Sequence, residues 1–119
     1  MNAPTDPNVL SPAWRALCTR QDLVADSGVV ALFENVQIAI FYLPEHPTQT
    51  LYAVENRDPK SGANVMGRGI VGEVGGDLIV ASPLYKQHFR LRDGSCVQFP
   101  EQRLRTWALR FNGDTVEIR

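Results

Sequence analysis

Closely spaced turn residues restrict this chain of 119 residues to short strands. Gly75-Gly76 and Asn112-Gly113 have the composition of two-residue turns that join neighbouring antiparallel strands. Aliphatic and β-branched residues flank both turns, and no stretch has apolar residues at the spacing of an amphipathic helix. The pattern predicts an all-β fold, an antiparallel β-sandwich or small barrel of about nine strands with at most one short helix.

Runs of β-forming residues between the turns give the strand positions. A chain of this length forms one domain, which we place at residues 13–119. Residues 1–12 contain three of the eight prolines and little apolar material, so we expect a flexible N-terminal tail there. The predicted strands are residues 14–18, 29–33, 37–42, 50–54, 70–74, 78–81, 89–91, 104–111 and 115–118.

The composition excludes several classes of protein. Apolar residues make up 44% of the chain, which is ordinary for a domain with its own core. The net charge of −1 argues against a protein that binds nucleic acid. No apolar run reaches the length of about 18 residues that a membrane helix needs, and the first residues lack the features of a signal peptide. We therefore expect a cytoplasmic protein with no nucleic-acid or membrane partner.

Two segments carry the most specific motif in the chain. The first reads Asn56-Arg57-Asp58-Pro59, and the second begins Ser82-Pro83-Leu84-Tyr85. In the second segment a proline, a phenylalanine, a leucine and a turn glycine stand at the offsets of a Rieske cluster-binding loop, which it resembles. A Rieske [2Fe–2S] centre needs two cysteine thiolates and two histidine imidazoles. The residues at those four ligand positions, vacated here, are Asn56, Asp58, Ser82 and Tyr85.

Nearly the whole chain resembles the small subunit of assimilatory NAD(P)H-dependent nitrite reductase, a cluster-free relative of Rieske ferredoxins. The resemblance also rests on residues 68–73, 81–89 and 93–96. It implies a Rieske-like antiparallel β-sandwich with a small former cluster-binding subdomain at about residues 50–97. It further implies a cytoplasmic enzyme that reduces nitrite to ammonium in nitrate assimilation. The large catalytic subunit of that enzyme carries FAD, an iron–sulfur cluster and sirohaem, and would be the partner of this chain.

The cysteines and histidines match a Rieske centre in number and not in spacing. Cys18 and Cys96 have no histidine two or three residues further on, so neither ligand loop can form. The oxygen atoms at the four vacated positions are hard ligands that do not replace thiolate and imidazole. One carboxylate is also a poor site for Ca²⁺ or Mg²⁺. We therefore expect no metal and no cofactor in this chain, and cysteines that act as small buried hydrophobes.

The four vacated positions allow two interpretations. If the two segments meet, Asp58 accepts hydrogen bonds from the Ser82 hydroxyl, the Tyr85 phenol or backbone N–H groups and joins the loops. Otherwise the four side chains lie on two surface loops, and resemblance of fold does not decide between these arrangements. No serine has the partners of a nucleophile, so no catalytic residue is expected. The candidate partner interface consists of Tyr85, Lys86 and His88, because such amphipathic side chains are common at interfaces.

The resulting hypothesis is a small, cluster-free subunit that acts by binding the large catalytic subunit of nitrite reductase. The chain is not expected to catalyse the reaction alone. The alternative is a degenerate Rieske ferredoxin-like module that binds or regulates another oxidoreductase, such as an oxygenase system. A third hypothesis, an electron carrier with a different metal, is tested by the absorption spectrum of the purified protein.

Overall fold

Ten strands form three antiparallel sheets in the computed structural model, which describes residues 13–119. The all-β prediction is therefore confirmed for this part of the chain, whereas the predicted tail lies outside it. Two single 3₁₀ turns, Arg20–Asp22 and Met66–Arg68, are the helical elements of this range. The strands are β1 Arg15–Thr19, β2 Ser27–Phe33, β3 Val36–Tyr42, β4 Leu51–Glu55, β5 Ile70–Val74, β6 Asp77–Ala81, β7 His88–Arg90, β8 Thr106–Trp107, β9 Leu109–Asn112 and β10 Thr115–Ile118.

Three two-residue hairpin turns are present, and the one predicted at Gly75-Gly76 has the expected backbone. The turn predicted at Asn112-Gly113 is one residue too early, because Asn112 ends β9 and pairs with Thr115, which leaves Gly113 and Asp114 in the turn. Glu34 and Asn35 join β2 to β3 with φ values of 51° and 65°, as a type I′ turn requires. Gly75, Gly76 and Gly113 also have positive φ, a conformation that glycine adopts without a steric penalty. These turns set the pairing register of β2–β3, β5–β6 and β9–β10.

A central sheet lies between two smaller sheets. Its strand order is β2-β3-β4-β8, and the outer sheets have the orders β1-β10-β9 and β5-β6-β7. Side chains of β3 alternate between the two faces of the central sheet, and the four at residues 38–41 are fully buried. Ile38 and Ile40 pack with Val116 of β10, whereas Phe41 packs with Phe89 of β7. Each outer sheet is thus held to the central sheet by a hydrophobic core of its own.

The strand predicted at residues 104–111 is wrong, because the chain changes sheet within it. β8 pairs with β4 in the central sheet, whereas β9 pairs with β10 in an outer sheet. Ala108 lies between them and exchanges two backbone hydrogen bonds with Arg119. A run of β-forming residues shows that the chain is extended and does not show which sheet each part joins.

Two connections bring the segments of interest to one end of the molecule. Residues 56–69, here named the first loop, join β4 to β5, and residues 82–87, the second loop, join β6 to β7. The former cluster-binding subdomain at about residues 50–97 stays a prediction. A search of residues 13–119 for a helix that could span a membrane found none.

Candidate functional site at the two loops

The side chain of Asp58 joins the first loop to the second. It is fully buried, and its Oδ2 accepts a hydrogen bond of 2.7 Å from the Ser82 hydroxyl. Its Oδ1 accepts from the backbone N–H of Lys60 at 2.8 Å and from Nε2 of Gln87 at 3.0 Å. The bond from Ser82, which the sequence allowed, is present, and the two loops do meet.

These three donors account for the burial of a carboxylate among apolar residues. A carboxylate that leaves water loses strong hydration, and hydrogen bonds donated by neighbouring groups must replace it. Ser82 and Gln87 both belong to the second loop, so each of these bonds also crosses between the loops. In a metalloprotein a cluster that is ligated by two loops holds those loops together. Here the hydrogen bonds to Asp58 hold the two loops together.

Gln87 is the site residue that sequence reasoning missed. Its side chain is 2% exposed, and Nε2 donates to Asp58 and to Oε1 of Gln102 at 3.1 Å. A signal was available, because alternation along β7 buries Phe89 and Leu91 and extends back to position 87. Oε1 of Gln87 is buried and has no hydrogen-bond partner among residues 13–119.

The backbone of the second loop turns sharply to place Gln87. Lys86 has a φ of 63°, in the left-handed region, and its N–H donates to the carbonyl of Ser82 at 3.0 Å. The N–H of Ser82 in turn donates to the carbonyl of Gln87 at 3.0 Å. These bonds close the loop on itself and direct the side chains of Ser82 and Gln87 inward.

Asn56 is buried and serves a different contact. Its Nδ2 donates to Oε1 of Gln37 on β3 at 2.9 Å, and its Oδ1 accepts from the N–H of Gly67 at 2.6 Å. Asn56 therefore ties the first loop to the central sheet and to the 3₁₀ turn. Within the described range it forms no hydrogen bond with Asp58 or Ser82.

Tyr85 lies at the surface, so of the four side chains at the vacated positions only Asp58 and Ser82 form a hydrogen bond with each other. The residue is 54% exposed, and the ammonium of Lys60 lies 4.5 Å from the centroid of its ring. This cation–π contact joins the two loops a second time, on the outside of the molecule. The tight turn of the second loop accounts for the position, because it directs Ser82 and Gln87 inward and leaves Tyr85 in solvent.

The other two residues of the candidate partner interface differ in exposure and in their contacts with the rest of the protein. Lys86 is exposed, beside Tyr85. His88 is partly buried, and a hydrogen bond of 2.7 Å joins its Nδ1 to Nε2 of Gln98. The backbone N–H of His88 also donates to Gln98 at 2.9 Å. The imidazole is thus held against the protein, whereas Tyr85 and Lys86 project from it.

The residues present do not fit a Rieske cluster. The groups that the loops bring together are a carboxylate, a hydroxyl and an amide, and thiolate and imidazole are the ligands such a cluster takes. Cys96 is buried on the far side of β7, where its Sγ contacts Gln98, and Cys18 lies on β1 in another sheet. Residues 13–119 hold no group of three or more His, Cys, Asp or Glu placed to bind a metal ion.

Comparison with known proteins identifies the family. Residues 13–119 match the family described as "Rieske-like [2Fe-2S] domain". The nitrite reductase (NADH) small subunit of Escherichia coli K12 is 38% identical over 106 residues, which cover 89% of this chain and 96% of that protein. This chain belongs to the family of nitrite reductase small subunits. The description of the matched domain names a [2Fe–2S] cluster. The oxygen-bearing side chains at the two loops of this chain do not suit such a cluster.

Two further members show how the domain occurs. The solution structure of the nitrite reductase [NAD(P)H] small subunit of Erwinia carotovora is 41% identical, with a TM-score of 0.72. That match covers 88% of this chain and 79% of the other. The nitrite reductase [NAD(P)H] large subunit of Klebsiella oxytoca is 38% identical over 113 residues, which are 95% of this chain and 11% of that protein. The family domain thus occurs both as a short chain and within a much longer one.

Proposed function

We propose that this chain is the small subunit of a cytoplasmic NAD(P)H-dependent nitrite reductase and acts by binding its large catalytic subunit. The observation that carries the proposal is the buried contact of Asp58 with Ser82 and Gln87. It holds the two loops in one conformation without a metal, in a family named for a nitrite reductase subunit. A domain so arranged is suited to docking.

We propose that this chain carries no cofactor. Reduction of nitrite to ammonium in nitrate assimilation would take place on the FAD, iron–sulfur cluster and sirohaem of the large subunit, since cofactors supply the redox chemistry of such enzymes. The carboxylate, hydroxyl and amide at the loops neither ligate a cluster nor form a nucleophile with its base. The chain would therefore contribute binding and not catalysis.

The relative from Klebsiella oxytoca supports a large-subunit partner. There a segment similar to this chain lies within a protein that is named a large subunit. Two parts of one chain remain close together whatever their affinity, because the linkage gives a high effective concentration. For two separate chains the same association must come from a binding surface. We propose that Tyr85 and Lys86, which project beside the buried contact, form part of that surface.

The rigid loops favour binding in a specific way. Association costs roughly 0.5–1.5 kcal/mol for each flexible side chain that becomes ordered, and ordering of loops adds to that cost. Pro59 and Pro83 restrict the loop backbones, and the contact of Asp58 with Ser82 fixes one loop against the other. The loops are therefore ordered before the partner arrives, and less affinity is lost on binding.

The test is purification of the tagged chain from its native host under anaerobic conditions. We expect a large protein with a sirohaem absorption spectrum to co-purify, and nitrite reduction by the complex. The small chain, separated from its partner, should be colourless and free of stoichiometric iron. An oxygenase component as the co-purified protein would support the alternative function. Iron bound to the isolated chain at its loops would contradict the proposal.

A further inference from the structure

The free edge of the central sheet has features of a second contact surface. β2 lies at this edge, and β3 is the one strand of residues 13–119 that pairs with it. Its residues are apolar on both faces: Val29, Ala31 and Phe33 pack into a core, whereas Val30 and Leu32 are 51% and 66% exposed. A strand that is apolar on both faces is typical of the interior of a sheet and not of its edge.

The backbone of β2 also has N–H and C=O groups that find no partner within residues 13–119. The backbone groups of Gln37 in β3 point toward β4, because its carbonyl accepts a hydrogen bond from the N–H of Asn56. Those of Leu43, the residue after β3, point the same way, because its N–H donates to the carbonyl of Thr50. Successive residues of a strand direct these groups to opposite sides, so Ile38 and Ile40 bond toward β2. Their partners in β2 are Ala31 and Val29. Val30 lies between Val29 and Ala31, and Leu32 follows Ala31. The N–H and C=O groups of Val30 and Leu32 therefore point away from β3, toward the open side of the sheet.

A groove continues from this edge toward the first loop. It has a volume of about 350 Å³ and is lined by Leu32, by Gln37 and by Arg57 and Asn64, which pair with each other across the base of the first loop. The same loop carries Lys60, which contacts Tyr85. The groove beside β2 and the proposed Tyr85 surface are thus both lined by residues of the first loop.

We propose that an extended segment of the large subunit pairs with the free edge of β2 at Val30 and Leu32 and continues over the groove. This inference rests on the proposed function, which supplies the partner. Backbone pairing would satisfy the outward N–H and C=O groups, and alternate side chains of the segment would cover Val30 and Leu32. A second copy of this chain is a poorer occupant. Symmetric pairing of two edges would cover two side chains from each copy, far less than the roughly 1,200 Å² that stable interfaces bury.

Two substitutions test the pairing without removing the β2–β3 bonds. Leu32→Lys places a charge on the edge, a change that prevents strand addition. Val30→Pro removes an outward N–H and no bond to β3. We expect each to weaken binding of the purified large subunit by at least about tenfold, measured by calorimetry. Val74→Lys, which puts the same charge on an exposed apolar position at the tip of the β5–β6 hairpin, is the matched control and should bind as wild type does.

Hydrogen exchange gives an independent measurement. The amides of Val30 and Leu32 should exchange rapidly in the isolated chain and become protected in the complex. Circular dichroism and the thermal midpoint establish that each variant is folded. Wild-type affinity in folded Leu32→Lys and Val30→Pro, or amides that stay unprotected, would overturn the inference and leave the proposed function standing. A wild-type chain that binds no large subunit would overturn both. A dimer of the chain alone that Leu32→Lys dissociates would identify a second copy as the occupant and overturn the inference.

Discussion

The buried carboxylate of Asp58 makes the stability of both loops depend on a few polar atoms. Ser82 is the one donor to Oδ2 among residues 13–119, so its loss leaves that oxygen buried without a bond. Oδ1 accepts from Gln87 and from the N–H of Lys60, so loss of Gln87 leaves it with one of its two bonds. An unmet acceptor inside a protein costs more than the net gain from one hydrogen bond, because the group has already lost its water. These residues are therefore expected to be sensitive to small changes.

Ser82→Ala should lower the free energy of unfolding by about 1–3 kcal/mol, because it removes the donor to Oδ2 and adds no bulk. Urea denaturation at neutral pH measures the change. Ser27→Ala, on an exposed residue of β2, serves as the control and should have an effect within about 0.5 kcal/mol. Equal stability of Ser82→Ala and wild type would show that the contact between the loops contributes little.

Lys86→Gly should raise the free energy of unfolding by up to about 1 kcal/mol. A side chain at positive φ costs about 1–2 kcal/mol, and glycine relieves this strain while losing more conformational entropy on folding. Lys60→Gly, at a position of ordinary backbone conformation, should lower stability instead. A stabilising effect at both positions, or at neither, would contradict this account of the second loop.

At the level of elements, an ion-pair cluster ties β6 to β7 and to the turn that follows. Asp77 at the start of β6 contacts Arg90 at 2.9 Å and Arg92 at 3.1 Å. Hydrogen bonds from Arg92 and Arg90 hold the pKa of Asp77 below its ordinary value of 3.8. The folded state therefore binds this proton more weakly than the unfolded chain does. Its contribution is complete above pH 3.8 and is lost as the pH falls through the lower pKa of the folded state.

Asp77→Asn should therefore destabilise the protein at pH 7 and have a smaller effect at an acidic pH below 3.8, because wild-type Asp77 loses its charge as the pH falls through its lowered pKa. Urea denaturation at both pH values measures the difference between variant and wild type. Glu73→Gln, a change in the neighbouring strand at a residue outside the ion pairs found in the described range, should show little dependence on pH. A destabilisation by Asp77→Asn that is the same at both pH values would exclude a contribution from this carboxylate charge.

The two loops, as elements, allow a direct test of the vacated-ligand assignment. The four substitutions Asn56→Cys, Asp58→His, Ser82→Cys and Tyr85→His would restore the Rieske ligand set. Positions 58 and 82 already lie together, so we expect this variant to take up iron and sulfide on anaerobic reconstitution, with the side chains at positions 56 and 85 turning toward them, and to show visible absorption bands. The variant without Tyr85→His lacks one imidazole and is the control. A folded, colourless quadruple variant would show that these positions are not equivalent to the cluster ligands.

At the level of the whole molecule, the exposed groups at the loop end predict how binding depends on salt. Arg57, Lys60 and Lys86 lie outside the ion pairs found among residues 13–119, and Tyr85 stands among them. Exposed charges of one sign favour an acidic partner surface, and salt screens that attraction. Affinity for the large subunit should therefore fall as ionic strength rises.

The double substitution Tyr85→Ala and Lys86→Ala should weaken binding of the large subunit by about tenfold or more and reduce its dependence on salt. Calorimetric titration at two salt concentrations measures both effects. His88→Ala should have a smaller effect on affinity, because Gln98 holds its imidazole against the protein. Val24→Ala, on an exposed residue before β2, is the control. Unchanged affinity of the double variant would remove this surface from the interface.

The sequence alone predicted most of the strands, the positions of the hairpins and the kinds of side chain that the two loops carry. Two-residue turns such as Gly75-Gly76 are local signals, because positive φ at adjacent positions is a property of those residues themselves. The mismatch with a Rieske cluster is also a local property, since it depends on which side chains stand at the four ligand positions. Each of these conclusions depends on residues that are close together in the chain.

Only the tertiary structure decided which side chains meet and which surfaces remain open. Ser82 and Asp58 are 24 positions apart, and Gln87 completes their contact only because the second loop turns at Lys86. The edge position of β2 depends on the order of strands in the central sheet, and the division of residues 104–111 depends on two different sheets. Contacts of this kind arise from the balance of packing over the whole chain, so periodicity and turn chemistry predict the elements but not their neighbours.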